Sequence, residues 1–135
     1  MGEGVSMLRD MVQPVPHKPV LVVEDDEDAR AAIAEILEAD GYEVAVAANG
    51  REALDELQHL PPPSLILLDL RMPVMDGPEF LRHLRADWPR LKAVPVLLLS
   101  GVGTEALPDT GGLLKKPIVP DELLATVGRL SGRSA

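Results

Sequence analysis

The chain has 135 residues, a length that favours a single domain and suffices to bury a core without staples. Its hydrophobic fraction of 46% and charged fraction of 26% are those of a globular protein, and the absence of cysteine excludes a disulfide framework, a thiolate metal site and a cysteine nucleophile. A net charge of −9 repels nucleic acid and anionic membrane, and three aromatics, Tyr42, Phe80 and Trp88, provide no stacking platform for bases or sugars.

Residues 1–17 hold Glu3, Arg9 and Asp10 without a continuous apolar stretch, so they do not read as a signal peptide. Val5, Leu8, Met11 and Val12 allow a short amphipathic helix that Pro14 and Pro16 would stop; otherwise the segment is a tail. The longest apolar runs have four or five residues, too short for a membrane span, and a cysteine-free chain suits the cytoplasm.

Pro19 to Val23 is a short β-branched run that Pro opens and acids close, the pattern of a buried strand. Asp26 to Ala39 predicts a helix, with Ala29, Ala32, Ile33, Ile36 and Leu37 on one face, Asp26 as cap and Gly41 past the end. Glu43 to Ala47 alternates like a strand, and Asn49-Gly50 reads as a turn. Arg51 to Leu60 predicts a helix stopped by Pro61-Pro62-Pro63. Ser64 to Leu68 is a third apolar run closed by Asp69. Asp76 to Ala86 predicts a helix that tolerates Pro78 in its first turn. Val94 to Leu99 is a fourth run closed by Ser100, and Leu113-Leu114 a short fifth closed by Lys115-Lys116-Pro117. Asp121 to Leu130 predicts the last helix, with Asp121 as its cap.

Alternating strands and helices imply a parallel sheet covered on both faces, with ligands beyond the carboxyl ends of the strands. Those ends carry Glu24-Asp25-Asp26, Asp69, Ser100 and Lys116. Carboxylates brought together repel one another unless a cation sits among them, and an all-oxygen set without His or Cys suits Mg²⁺. Lys116 and Ser100 supply a cation and a hydroxyl for phosphoryl oxygens, and Asp69, ending the central run, is placed as a carboxylate nucleophile. Singly, each group is an ordinary turn, cap or loop residue; four complementary groups at four strand ends point to one site.

The strings Val22-Val23-Glu24-Asp25-Asp26, Leu67 to Gly77, Leu99-Ser100-Gly101 and Lys116-Pro117 resemble the receiver domain of two-component response regulators. The resemblance covers about residues 18–131, with 1–17 as an extension and 132–135 as a tail. It implies an α/β, flavodoxin-like, doubly wound five-stranded parallel sheet of order 2-1-3-4-5. It further implies Asp69 as phosphoacceptor and Glu24-Asp25 as the acidic pair, Asp25 ligating Mg²⁺ directly and Glu24 through water. The backbone carbonyl of Arg71 becomes a further ligand, Ser100 the switch hydroxyl, Lys116 the phosphoryl contact, and Lys116-Pro117 a cis peptide. Asp25-Asp26 is the alternative register for the pair; Glu24-Asp25 follow the strand directly and leave Asp26 to cap the helix. The implied partners are a sensor histidine kinase or histidine phosphotransfer protein and a downstream protein, without direct nucleic acid or membrane contact, the chain being a monomer or weak homodimer. A receiver is a phosphoacceptor rather than an enzyme, catalysing at most its own phosphorylation and dephosphorylation.

Two departures stand out. The segment between Ser100 and Lys116 is short by about one and a half to two helical turns and holds Gly101, Gly103, Pro108, Gly111 and Gly112, so the fourth helix is expected to be truncated or replaced by loop. Leu113 stands where the family often carries an aromatic switch, three residues before the lysine. The chain closes soon after the last helix, so a stand-alone receiver is expected, with a piece of a multidomain protein as the alternative. An interaction module working without phosphorylation is the alternative function. A small acyl-phosphate hydrolase would need a second acid–base group, and His17, His59 and His83 lie away from the predicted strand ends.

Overall fold

The computed structural model describes residues 18–101 and 110–132. Strands β1 (Val20–Val23), β2 (Val44–Ala47), β3 (Leu65–Asp69), β4 (Val96–Ser100) and β5 (Gly112–Lys115) form one parallel sheet in the order β2-β1-β3-β4-β5. Helices α1 (Glu27–Ala39), α2 (Gly50–Leu57), α3 (Gly77–Asp87) and α4 (Pro120–Leu130) connect or follow the strands, with a 3₁₀ turn at Pro89–Leu91. This is the doubly wound, flavodoxin-like architecture expected. The fourth helix expected in truncated form falls mainly on residues 102–109, and the amphipathic segment falls on residues 1–17; both lie outside the described residues.

The central strands are apolar at successive positions because both faces of the sheet are covered. Side chains alternate between two cores. Leu21, Val23, Ile66, Leu68, Val96 and Leu98 pack with Ala53, Leu57, Phe80, Leu81 and Leu84 under α2 and α3. Val20, Val22, Leu65, Leu67, Leu97 and Leu99 pack with Ile33, Leu37, Leu123 and Val127 under α1 and α4. Burying one such leucine or isoleucine contributes about 1.5–3 kcal/mol.

Caps account for most helix starts. Asp26 caps α1 as expected, its side chain accepting from Ala29 N at 3.1 Å. Asp76 caps α3, accepting from Glu79 N at 3.0 Å, with Pro78 in the first turn where no amide is needed. Two expectations are corrected. Asn49-Gly50 is not a free turn: the Asn49 side chain accepts from Glu52 N at 2.9 Å and starts α2, because asparagine satisfies turn and cap donors by the same chemistry. Asp121 is not a cap: Pro120 opens α4 after Val119, and Asp121 lies in the first turn, complementing the helix dipole. Helix α2 also ends at Leu57, earlier than Leu60, and Ala32 faces solvent rather than the core.

Candidate functional site

In a parallel sheet all carboxyl strand ends share one edge. Glu24, Asp25, Asp69, Ser100 and Lys116 therefore line a single cleft of about 280 Å³, with Arg71 on its rim. Every site residue read from the sequence reaches this cleft.

The β1–α1 loop sets the acidic group. Glu24 N bonds to Ala47 O of β2 at 3.0 Å, and Glu24 Oε2 accepts from Asp26 N at 3.1 Å. Asp26 commits its carboxylate to the α1 cap, so the carboxylate oxygens that converge, within 4.8 Å of one another, are those of Glu24, Asp25 and Asp69. Glu24 is fully buried and Asp25 exposed.

Asp69 ends β3 with 4% of its surface exposed, and its Oδ1 accepts from Arg71 N at 3.3 Å. The chain returns closely behind it. A Cβ on Gly77 would lie 2.9 Å from Asp69 O and 3.0 Å from Leu70 Cα, so the start of α3 packs there only as glycine. Lys116 reaches in from the end of β5. Its Nζ lies 2.6 Å from Glu24 Oε1 and 3.5 Å from Asp69 Oδ1; the first contact is an ion pair without hydrogen-bond directionality. Lys116 N donates to Ser100 O at 2.6 Å, and the Lys116-Pro117 peptide is cis. Ser100 is buried, with Oγ donating to Gly101 O at 3.3 Å.

The charges explain the titration. Burial first, then hydrogen bonding with Glu24 and Asp25 and repulsion from Glu24, push the Asp69 carboxyl up to about 7. Asp25 goes the other way: burial raises it, but hydrogen bonds with Asp69 and Glu24, together with the Lys116 charge, leave it below the ordinary carboxylate range. For Lys116 burial opposes the charged form, yet its short contact with Glu24 and the Asp69 and Glu24 charges hold it above the usual lysine value.

One residue escaped the sequence reading. Arg30, in the first turns of α1, donates from Nη1 to Glu24 O at 2.9 Å and reaches Asp25 O at 3.5 Å. Its signal was a charged residue at helical spacing before Ile33 and Leu37, on the face that otherwise turns inward. His59 is exposed after α2, His83 pairs with Asp87 on α3 at 3.4 Å, and neither lines the cleft; His17 lies outside the described residues.

Residues 20–128 match the response regulator receiver domain family. The chain belongs to that family. The receiver is 37% identical over 130 residues to response regulator Rre1 of Synechocystis, a match covering 91% of this chain and 54% of that protein. It is 35% identical over 133 residues to the alkaline phosphatase synthesis transcriptional regulatory protein SphR of Synechococcus elongatus, covering 88% of this chain and 51% of SphR. The chain thus spans about half the length of the curated relatives it matches. Among solved structures, chemotaxis protein CheY4 of Vibrio cholerae superposes with a TM-score of 0.74 at 35% identity, covering 85% of this chain and 99% of that one. In this receiver Leu113 packs half-buried against the core under α2 and α3, at the position where an aromatic was the family expectation. Among the described residues no helix is long and apolar enough to cross a membrane.

Proposed function

We propose that the receiver is a phosphoacceptor switch of a two-component phosphorelay, in which Asp69 takes a phosphoryl group from a phosphohistidine. The supporting observation is the setting of Asp69. It is a nearly buried carboxylate at the end of the central strand, 3.5 Å from the Lys116 ammonium and beside two further acids.

The donor set fits Mg²⁺. Three carboxylates converge without His or Cys, one is exposed, and Asp69 is poorly stabilised as an anion without a cation. Asp25, Asp69 and the Arg71 carbonyl would hold the ion, with Glu24 acting through water because its oxygens face Asp26 N and Lys116. When bound, the ion neutralises phosphoryl oxygens as charge shifts onto them.

The chain's own groups do the rest. A carboxylate oxygen of Asp69 attacks phosphorus; the new oxygen–phosphorus bond forms as the donor's phosphorus–nitrogen bond breaks. The electron pair leaves with the imidazole, which keeps a ring proton and departs neutral. Lys116 Nζ moves from Asp69 Oδ1 to a phosphoryl oxygen, a charge-assisted contact. Ser100 Oγ rotates from Gly101 O toward another, carrying the state of Asp69 into β4.

The upstream partner is a sensor histidine kinase or histidine phosphotransfer protein. The net charge of −9 favours a protein over DNA as the direct downstream partner. The receiver catalyses at most its own phosphorylation and dephosphorylation, since a hydrolase would need a second acid–base group in the cleft. Incubation with acetyl phosphate, followed by intact mass, tests the proposal. One added phosphoryl group that requires Mg²⁺ is expected; no addition under any metal condition would leave the phosphorylation-independent interaction module as the better reading.

A further inference from the structure

Arg30 occupies a costly place. A cation in the first turns of a helix faces the positive end of the helix dipole, which disfavours it by about 0.3–1 kcal/mol. The side chain is half-buried at a spacing that serves the core further along, at Ile33 and Leu37. What it meets there is the stretch of backbone that bears the acidic pair. Sheet pairing of β1 ends at Val23, α1 begins at Glu27, and the carbonyls of Glu24 and Asp25 fall between the two ladders. Among the described residues no backbone N–H bonds to either carbonyl. Arg30 Nη1 takes the first at 2.9 Å and the second, more loosely, at 3.5 Å.

We propose that Arg30 is a positioning residue: by clamping the Glu24 and Asp25 carbonyls from behind, it holds both carboxylates toward Asp69 and pre-organises the cation site. The inference rests on reading Glu24, Asp25 and Asp69 as the Mg²⁺ group. The geometry links the parts. The loop between β1 and α1 is three residues long, Glu24 to Asp26. Its front is fixed by Glu24 N on Ala47 O and its back by the Asp26 cap. Peptide rotation in the middle would swing the exposed Asp25 carboxylate away, and the clamp on the two carbonyls opposes that rotation. Metal sites commonly depend on such outer contacts, whose removal weakens metal binding about 10–100-fold.

Charge and positioning act in opposite directions, which makes the proposal decidable. Removing a cation beside three carboxylates should tighten Mg²⁺ binding if electrostatics alone matter. Removing the clamp should weaken it. The test is calorimetric Mg²⁺ titration of wild type, Arg30→Met and Arg30→Lys, with melting temperatures measured in EDTA and in Mg²⁺. Arg30→Met keeps an unbranched stem and loses donor and charge. The expected result is Mg²⁺ binding about tenfold weaker in Arg30→Met and intermediate in Arg30→Lys. Unchanged or tighter binding in Arg30→Met overturns the clamp. So does an equal fall of both melting temperatures with an unchanged dissociation constant, which would mark a merely structural role. Where Arg30→Met does not fold, Arg30→Lys decides, and wild-type affinity there overturns the clamp. Failure of wild type itself to bind Mg²⁺ overturns both the clamp and the phosphoacceptor reading, whereas normal wild-type binding with an unaffected Arg30→Met overturns the clamp alone.

Discussion

Replacing Asp69 by Asn is expected to stabilise the metal-free protein, and to do so increasingly as pH rises. The Asp69 carboxyl titrates near 3.8 in an unfolded chain and is pushed up to about 7 in the fold, by burial and then by Glu24 and Asp25. Protonated Asp69 therefore favours the fold fully below about pH 4, and that stability is lost as pH climbs through 7. The difference corresponds to at most about 4 kcal/mol between acid and alkaline limits. Asn keeps the shape and does not titrate. The partly exposed Lys116 ion pair that it forfeits, worth about 1 kcal/mol or less, forms only as Asp69 ionises, so its loss is already contained in the folded-state pKa. The gap between variant and wild type should widen by about 2–3 kcal/mol from pH 5 to pH 8, roughly 10 °C in melting temperature for a chain of this size. Thermal melts in EDTA at the two pH values measure it directly. A gap that stays constant, or narrows toward pH 8, would refute crowding of carboxylates as the property of this cleft.

Further predictions concern the site and its loop. Asp25→Ala should abolish Mg²⁺-dependent phosphorylation, while Glu24→Gln weakens it less; equal losses in titrations of acetyl phosphate would contradict the division between inner and outer roles. Val74 is a β-branched residue at φ 67°, 78% exposed, in a γ-turn closed by Met75 N on Pro73 O at 2.7 Å. Val74→Gly should relieve that strain and raise stability by about 1 kcal/mol in chemical denaturation; no change or a loss would mean the turn is not strained. The phosphorylated state should decay slowly, because Arg71, lining the cleft, carries donors but no acceptor to orient a water. Phosphate loss from wild type as fast as, or faster than, from Arg71→Asn would defeat this reading.

Most of the architecture was legible because each apolar run is short, ends in a polar strand terminus and alternates with a helical pattern. Val20–Val23, Leu65–Asp69 and Val96–Ser100 are buried along their length, so tertiary context had no conflict to impose. Asp26 was legible as a cap because nothing competes for its carboxylate locally. Asn49 was not, since Asn-Gly codes a turn as readily as a cap and only the position of β2 and α2 decides. The membership of the cleft followed from parallel strand ends meeting at one edge. Its depth did not: full burial of Glu24 and its seizure of Lys116 at 2.6 Å depend on how far the lysine stem folds inward. Arg30 was missed for a related reason. A lone arginine on a helix ordinarily extends into solvent, and its bonds here go to main-chain carbonyls, which leave no trace in side-chain chemistry. The left-handed backbone at Val74 runs against the preference of a β-branched residue and had no local signal at all.

The central claim is that Asp69, and no other carboxylate of the cleft, receives the phosphoryl group. Its most direct test is borohydride reduction of the phosphorylated protein, which converts an aspartyl phosphate to homoserine, followed by peptide mass mapping. Conversion confined to Asp69 is predicted; conversion at Asp25 or Glu24, or phosphate retained on Asp69→Asn at the wild-type rate, would contradict it.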